Sequence, residues 1–214
     1  NAIPTFEVAE GLIVELVAAE PHLANPVAFT IDEQGRFFVA ETYRHGQGVL
    51  DIRGRAGWPS REFKSRLSPE RLANLSEEML DVDLAVRTVD DRIAYLRKYM
   101  GSEVEDLAVA TDRVRRLVDV DGDGVVDESS VFVDGFRNIA DGIGAGVLAR
   151  KGQLYYTNIP DLWLFSDYDQ DGKPEKSQSL HYGYGVRTGF LGHDLHGLVM
   201  GPDGKIYFSI GDRG

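Results

Sequence analysis

The sequence predicts an all-β chain: part of a β-propeller, about two and a half four-stranded blades, with a helical insertion in the first blade. Three observations predict it. An apolar run, a polar turn with Gly and a second β-branched or aromatic run recur, without gaps, around Gly35, Gly152 and Gly204. Helical spacing interrupts this pattern once, over residues 60–101. Two acidic loops of one design each fall between the third and fourth predicted strands of a blade. Residues 1–214 then form the N-terminal part of one propeller domain, with 43–112 as a mainly helical insertion.

The elements follow in order. Leu12–Ala18 reads as a strand ahead of the first blade, placed to complete the last blade of a closed ring. Strands near 27–32 and 36–41 form the first hairpin, with Gly35 supplying the positive φ of its turn. In the insertion, Ser68-Pro69 reads as an N-cap with Pro at the first helical position, before Leu72, Leu75, Met79 and Leu80. Thr88 to Asp91 resembles a capping box with Asp in place of Glu; Ile93, Leu96 and Met100 follow, and Gly101 stops the helix. Strands near 114–119 and 129–134 complete the first blade. The second blade runs through 146–149, 153–158, 162–166 and 178–182, and a third begins at 197–201 and 205–210. The Gly152-to-Gly204 interval is about one blade length, roughly 40–50 residues, whereas the longer Gly35-to-Gly152 gap holds either a second blade or an insertion, and the helical spacing over 60–101 favours the insertion.

Composition narrows the chemistry. There are 35 Asp+Glu against 23 Lys+Arg, a formal charge of -12, which argues against a grip on nucleic-acid phosphates. The absence of Cys excludes disulfides, thiolate metal sites and covalent c-type haem in these residues. No apolar run approaches the ~18 residues that a membrane-spanning helix needs.

The acidic loops carry the strongest signal. Asp119, Asp121, Asp123 and Asp127 stand at positions 1, 3, 5 and 9 around Gly124, and Asp167, Asp169, Asp171 and Glu175 repeat this around Gly172. Carboxylates at these positions converge on one point, Gly at position 6 allows the sharp turn, and position 7 (Val125, Lys173) offers its carbonyl. Hard oxygen ligands of this kind suit Ca²⁺. Both loops lie on the rim that holds the Gly35, Gly152 and Gly204 turns, so the calcium is expected to be structural.

The opposite rim collects the other polar residues. His193 and Asp141 hold equivalent positions on neighbouring blades, each eleven residues ahead of its turn glycine. A His beside a carboxylate is a candidate general base. Glu41, Tyr43, Arg44 and His45, Asp161, and Asp212 with Arg213 leave second strands on the same side, and Gly142, Gly144 and Gly146 permit close backbone approach.

The stretch His193–Asp212 resembles H-x-x-x-x-L-x-x-x-P-D-G-x-[IL]-Y-x-x-x-G-D of the soluble quinoprotein glucose/sorbosone dehydrogenases; Gly197 stands where that family commonly carries Arg. A wider resemblance is to the planctomycete and verrucomicrobial membrane-bound dehydrogenase propeller domain. It rests on Glu15–Pro21, Gly35–Glu41, both acidic loops, Asp141–Gly146, Ile159–Trp163 and Gly192–Gly197. The resemblance implies a sugar or alcohol dehydrogenase using pyrroloquinoline quinone (PQQ), with His193 as base, Asp141 orienting it, and Glu41, Asp212 and Arg213 toward the cofactor. It also implies an extracytoplasmic setting, and helical-repeat and cytochrome-c-like domains elsewhere in a longer protein as electron partners. The alternative is a non-catalytic, calcium-stiffened propeller whose rim binds carbohydrate, through Trp58 or Tyr43, or docks a protein.

Overall fold

The computed structural model describes residues 3–52, 59–73, 75–76, 78–188 and 191–211. Among the described residues ten strands form antiparallel sheets, and the α-helices lie between the second strand and the third. The first sheet joins β1 (Pro26–Ile31), β2 (Phe37–Glu41), β3 (Asp112–Val118) and β4 (Glu128–Phe136) in that order. The second joins β5 (Gly146–Arg150), β6 (Gln153–Asn158), β7 (Asp161–Ser166) and β8 (Lys176–Tyr182). A two-stranded sheet pairs β9 (His196–Met200) with β10 (Ile206–Ser209). Each predicted strand from 27 onward falls within a few residues of an observed one. The turn glycines Gly35, Gly152 and Gly204 have φ of 79°, 72° and 78°, the left-handed region in which Gly carries no Cβ penalty.

Residues 12–18 do not form the expected strand. A strand needs a partner, and the ladder there is a single bond, from Val126 N to Val17 O at 2.9 Å. The segment instead lays Val17, Ala18 and Leu23 on Val39, Leu117 and Val126 of the first sheet, while Leu12, Ile13 and Leu16 stay exposed.

The first strands of the three sheets lie side by side, β1 against β5 and β5 against β9. The space between the two large sheets is an apolar core of Phe38, Val114, Phe132 and Phe136 against Val147, Leu154, Tyr156 and Phe165. Its aromatic rings meet edge-on, Phe38–Phe132 at 5.1 Å and Phe132–Phe165 at 6.5 Å, the geometry their quadrupoles favour.

The helices are α1 (Arg61–Ser65), α2 (Pro69–Ala73), α3 (Met79–Ala85) and α4 (Val89–Met100), followed by a 3-10 turn over Gly101–Ala108. The predicted 68–80 helix is two short ones, and Leu72 and Leu80 face solvent rather than a core. The capping box at Thr88 is present as read: Thr88 Oγ1 accepts from Asp91 N at 3.1 Å and Asp91 returns the bond at 3.0 Å. Phe63, Met79, Tyr95, Leu96 and Met100 bury a second core with Leu50 and Ile52. Among the described residues no helix is long and apolar enough to cross a membrane.

Candidate functional site

The sheets have two ends. At one lie the hairpin turns and both acidic loops; at the other lie the helices and the crossings from one sheet to the next. Contacts between sheets hold each end together. At the hairpin end, Glu33 accepts from Lys151 N at 3.0 and 3.1 Å. At the other end, Asp194 accepts from Ile143 N at 2.8 Å.

The loop after β7 draws carboxylate oxygens of Asp167, Asp169, Asp171 and Glu175 within 4.8 Å of one another. Backbone amides hold each acid in place. Asp167 Oδ2 accepts from Gly172 N at 3.0 Å, Asp169 from Asp171 N, Asp171 from Lys173 N and Glu175 from Tyr168 N. Gln170 and Gly172 have positive φ, which bends the chain tightly enough to turn the acids inward. The informative atom is Asp167 Oδ1: it is buried and has no hydrogen-bond partner, in a side chain only 6% exposed. An orphaned buried carboxylate oxygen is costly, and a cation among these four acids would satisfy it. The donor set is all oxygen and multiply charged, which fits Ca²⁺.

The loop after β3 repeats the design with a difference. Asp119, Asp121 and Asp127 converge within 4.8 Å, while Asp123 stands outside the cluster and accepts from Val125 N at 2.8 Å. Both oxygens of Asp119 are already taken, by Gly122 N at 2.8 Å and Gly124 N at 2.9 Å. The loops also brace different neighbours. The second rests on the first sheet, where a Cβ at Gly172 would meet Arg116 Nη1 at 3.0 Å. The first holds Val126 and, through it, the segment around Val17.

At the other end the structure places the remaining predicted residues in a buried polar lattice. Glu41 is fully buried: Arg113 Nε lies 3.0 Å and Arg115 Nε 2.7 Å from its oxygens, and Ala24 N donates to it at 2.8 Å. Glu41 thus anchors β2 to β3 and presents no free oxygen to a cofactor. Asp141 accepts from Asn138 N at 2.8 Å; burial pushes its carboxyl above the ordinary value, against the opposing pull of Asn138 and Arg44. His193 is exposed and sits where a Cβ on Gly211 would touch it. Asp212, Arg213 and Trp58 lie outside the described residues.

One residue of this lattice, Asp112, carries no local sequence signal, and two that the sequence displayed, Arg44 and Asp194, take structural roles. Asp112, fully buried, accepts from Thr42 Oγ1, Tyr43 N, Arg44 N and Gly144 N at 2.7–3.1 Å, yet burial still raises its carboxyl. Arg44, also fully buried, donates to the carbonyls of Leu107, Ala110, Gly48, Asn138 and Asp141, tying the helices to the turn ahead of β5. Asp194 joins the second and third sheets through Ile143. The close approaches expected of the 142–146 glycines are present, since a Cβ on Gly144 would fall 1.7 Å from Tyr156 Oη.

The fold and its loops define a β-sheet protein with paired acidic turns on one end and a buried ionic lattice on the other. The family model that matches does so over residues 1–214 and is described as a domain of unknown function (DUF7133); the chain belongs to that family. No curated protein and no solved structure matches it.

Proposed function

We propose that the chain is a calcium-binding β-propeller domain, the 167–175 loop being its principal site, and that calcium stiffens the junction between its first two blades. The observation that carries this reading is the buried, unpartnered Asp167 Oδ1 in a nest of four carboxylates. The side-by-side first strands β1, β5 and β9 support the propeller. So do the apolar flanks at either side: Phe29 of β1 is 66% exposed, and Val199 and Tyr207 of the last sheet are 56% and 52% exposed. Neighbouring blades of a ring would bury both flanks. Calorimetric titration of chelator-stripped protein with Ca²⁺, and separately with Mg²⁺, tests the metal reading. Saturable Ca²⁺ binding that weakens in Asp167→Asn supports it. Absence of Ca²⁺ binding by folded protein refutes it.

A second reading, a quinone-dependent sugar or alcohol dehydrogenase, is favoured by His193, exposed at the end opposite the acidic loops. The described residues do not fit PQQ itself. That cofactor is a planar tricarboxylate, whereas at this end Arg113 and Arg115 are spent on Glu41, Arg44 on backbone carbonyls, and Asp112, Asp141 and Asp194 are buried acids. The dehydrogenase reading is tested by PQQ titration and dye reduction over sugars and alcohols, with His193→Ala as control. Full turnover in that variant would overturn the role given to His193.

A further inference from the structure

Between the outer strands of the two large sheets runs an open groove of about 410 Å³, whose lining includes Asp134, Phe136, Asn138, Trp163, Pro174 and Ser177. It lies apart from both acidic clusters, touching the second only through Pro174. Two irregularities in the ladders flank it. The β3–β4 register slips between Asp112 and Val114, at the stretch of β4 that holds Asp134 and Gly135, and Gly135 has φ of 93°. The β7–β8 register slips between Leu162 and Trp163. Bulges of this kind re-aim side chains and are over-represented beside binding sites.

The groove's chemistry is mixed in a specific way. Trp163 is half-buried, edge-on to Phe136 at 6.1 Å and stacked on Phe165 at 6.0 Å, so neighbouring rings hold the indole in place. Among the described residues its N–H has no acceptor, and the exposed carboxylate of Asp134 has no hydrogen bond or ion pair. The Ser177 hydroxyl stands in the same lining, whereas the Asn138 amide there already donates to Asp141. A ligand here meets a flat apolar ring, a free acceptor of full charge and two donors, the indole N–H and the Ser177 hydroxyl. An anion would oppose Asp134 and Asp141. A simple cation would gain nothing from the indole and hydroxyl donors, which a ligand with acceptors of its own would use. A ring that is apolar on one face and carries hydroxyls around its edge satisfies all of them. The geometry points to a binding site for a neutral pyranose in this groove, stacked on Trp163 and hydrogen-bonded through its hydroxyls to Asp134. The groove reaches the lattice of the crossover end only through Asn138 and Asp141, and binding there needs no redox chemistry.

The test uses the full chain carrying Trp58→Phe, which leaves Trp163 as the sole tryptophan, with saturating Ca²⁺ throughout because Pro174 belongs to the 167–175 loop. D-glucose, D-mannose and maltose are titrated while tryptophan emission is followed, with choline chloride and sodium acetate as charged controls. The expected result is a saturable emission change for at least one sugar, with Kd near the millimolar range usual for small neutral ligands. Asp134→Ala should weaken it at least about tenfold while leaving the melting temperature unchanged, since that carboxylate holds no contact in the fold. Three results would overturn the proposal: no saturable change with any sugar in folded protein, full affinity in Asp134→Ala, or a response to choline alone. Calcium binding is measured on the same samples, so failure of the groove and failure of the calcium site are read separately.

Discussion

Replacing Asp167 with Asn separates a calcium site from an ordinary acidic turn, because the two readings demand opposite signs. In this loop carboxylate oxygens of four acids lie within 4.8 Å of one another. Two unit charges at that distance repel by about 0.9 kcal/mol in a water-like dielectric. Asp167 takes part in three such pairs, so neutralising it relieves up to about 2–3 kcal/mol before salt screening. In a chain of this size each kcal/mol moves the melting temperature by about 2–4 °C. Metal-free Asp167→Asn should therefore melt as high as wild type, or several degrees higher. Calcium at a hundred times its Kd stabilises the native state by about 2.7 kcal/mol, a rise of about 5–11 °C for wild type. The variant, lacking one full charge at the buried position, should lose most of that rise. Differential scanning calorimetry in chelator and in Ca²⁺ gives all four melting temperatures. A wild-type melting point that ignores calcium, or an equal calcium shift in Asp167→Asn, would refute the reasoning. A variant that simply misfolds would be lower in both conditions, which is a different pattern.

Glu41→Gln leaves Arg113 and Arg115 without their counter-charge; a fully buried pair would cost about 3–5 kcal/mol, and part-exposed arginines reduce this to about 2–3, read as a lower urea midpoint at unchanged slope. Asp112 has a folded-state pKa raised by burial, so the stability it contributes is fully present below the unfolded value and is lost as pH rises through the folded one. Urea melts from pH 4 to pH 7 should then show the gap between Asp112→Asn and wild type changing in that window, the neutral variant losing less as pH rises; a constant gap would contradict it. Asp119→Ala frees the amides of Gly122 and Gly124, and hydrogen exchange at Val126 N, which bonds to Val17 O, should accelerate while exchange within β6 stays unchanged.

What the sequence showed and what it hid divide along the range of the interactions. The hairpins at Gly35, Gly152 and Gly204 were legible because each turn is decided within a few residues, by the need for positive φ between two apolar runs. The Thr88–Asp91 box and both acidic loops were legible for the same reason: their donors and acceptors are close neighbours in the chain. Residues 12–18 read as a strand because an apolar stretch specifies extended backbone but says nothing about a pairing partner. Glu41 was read as a cofactor ligand because its neutralising arginines arrive on β3, more than seventy residues later. Asp112 escaped notice altogether, since its donors come from Thr42, Tyr43 and Arg44, just after β2, and from Gly144.

That division also supplies a criterion for the acids of this highly charged chain. At the crossover end, Asp112, Asp141 and Asp194 are buried and accept bonds from the protein itself. Glu41 is buried there too, neutralised by arginines. Such acids hold sheets and helices together, and removing one leaves a donor stranded. At the hairpin end the loop acids are oriented by local amides, but their charge is not cancelled by any arginine in the contacts described. Local amides fix direction without neutralising four carboxylates, and only a cation does both. Asp167 is the point where the two situations meet: it is as buried as the lattice acids, yet one of its oxygens has no donor. An unpartnered buried acceptor set among three further acids is therefore what favours calcium, rather than the number of acids alone.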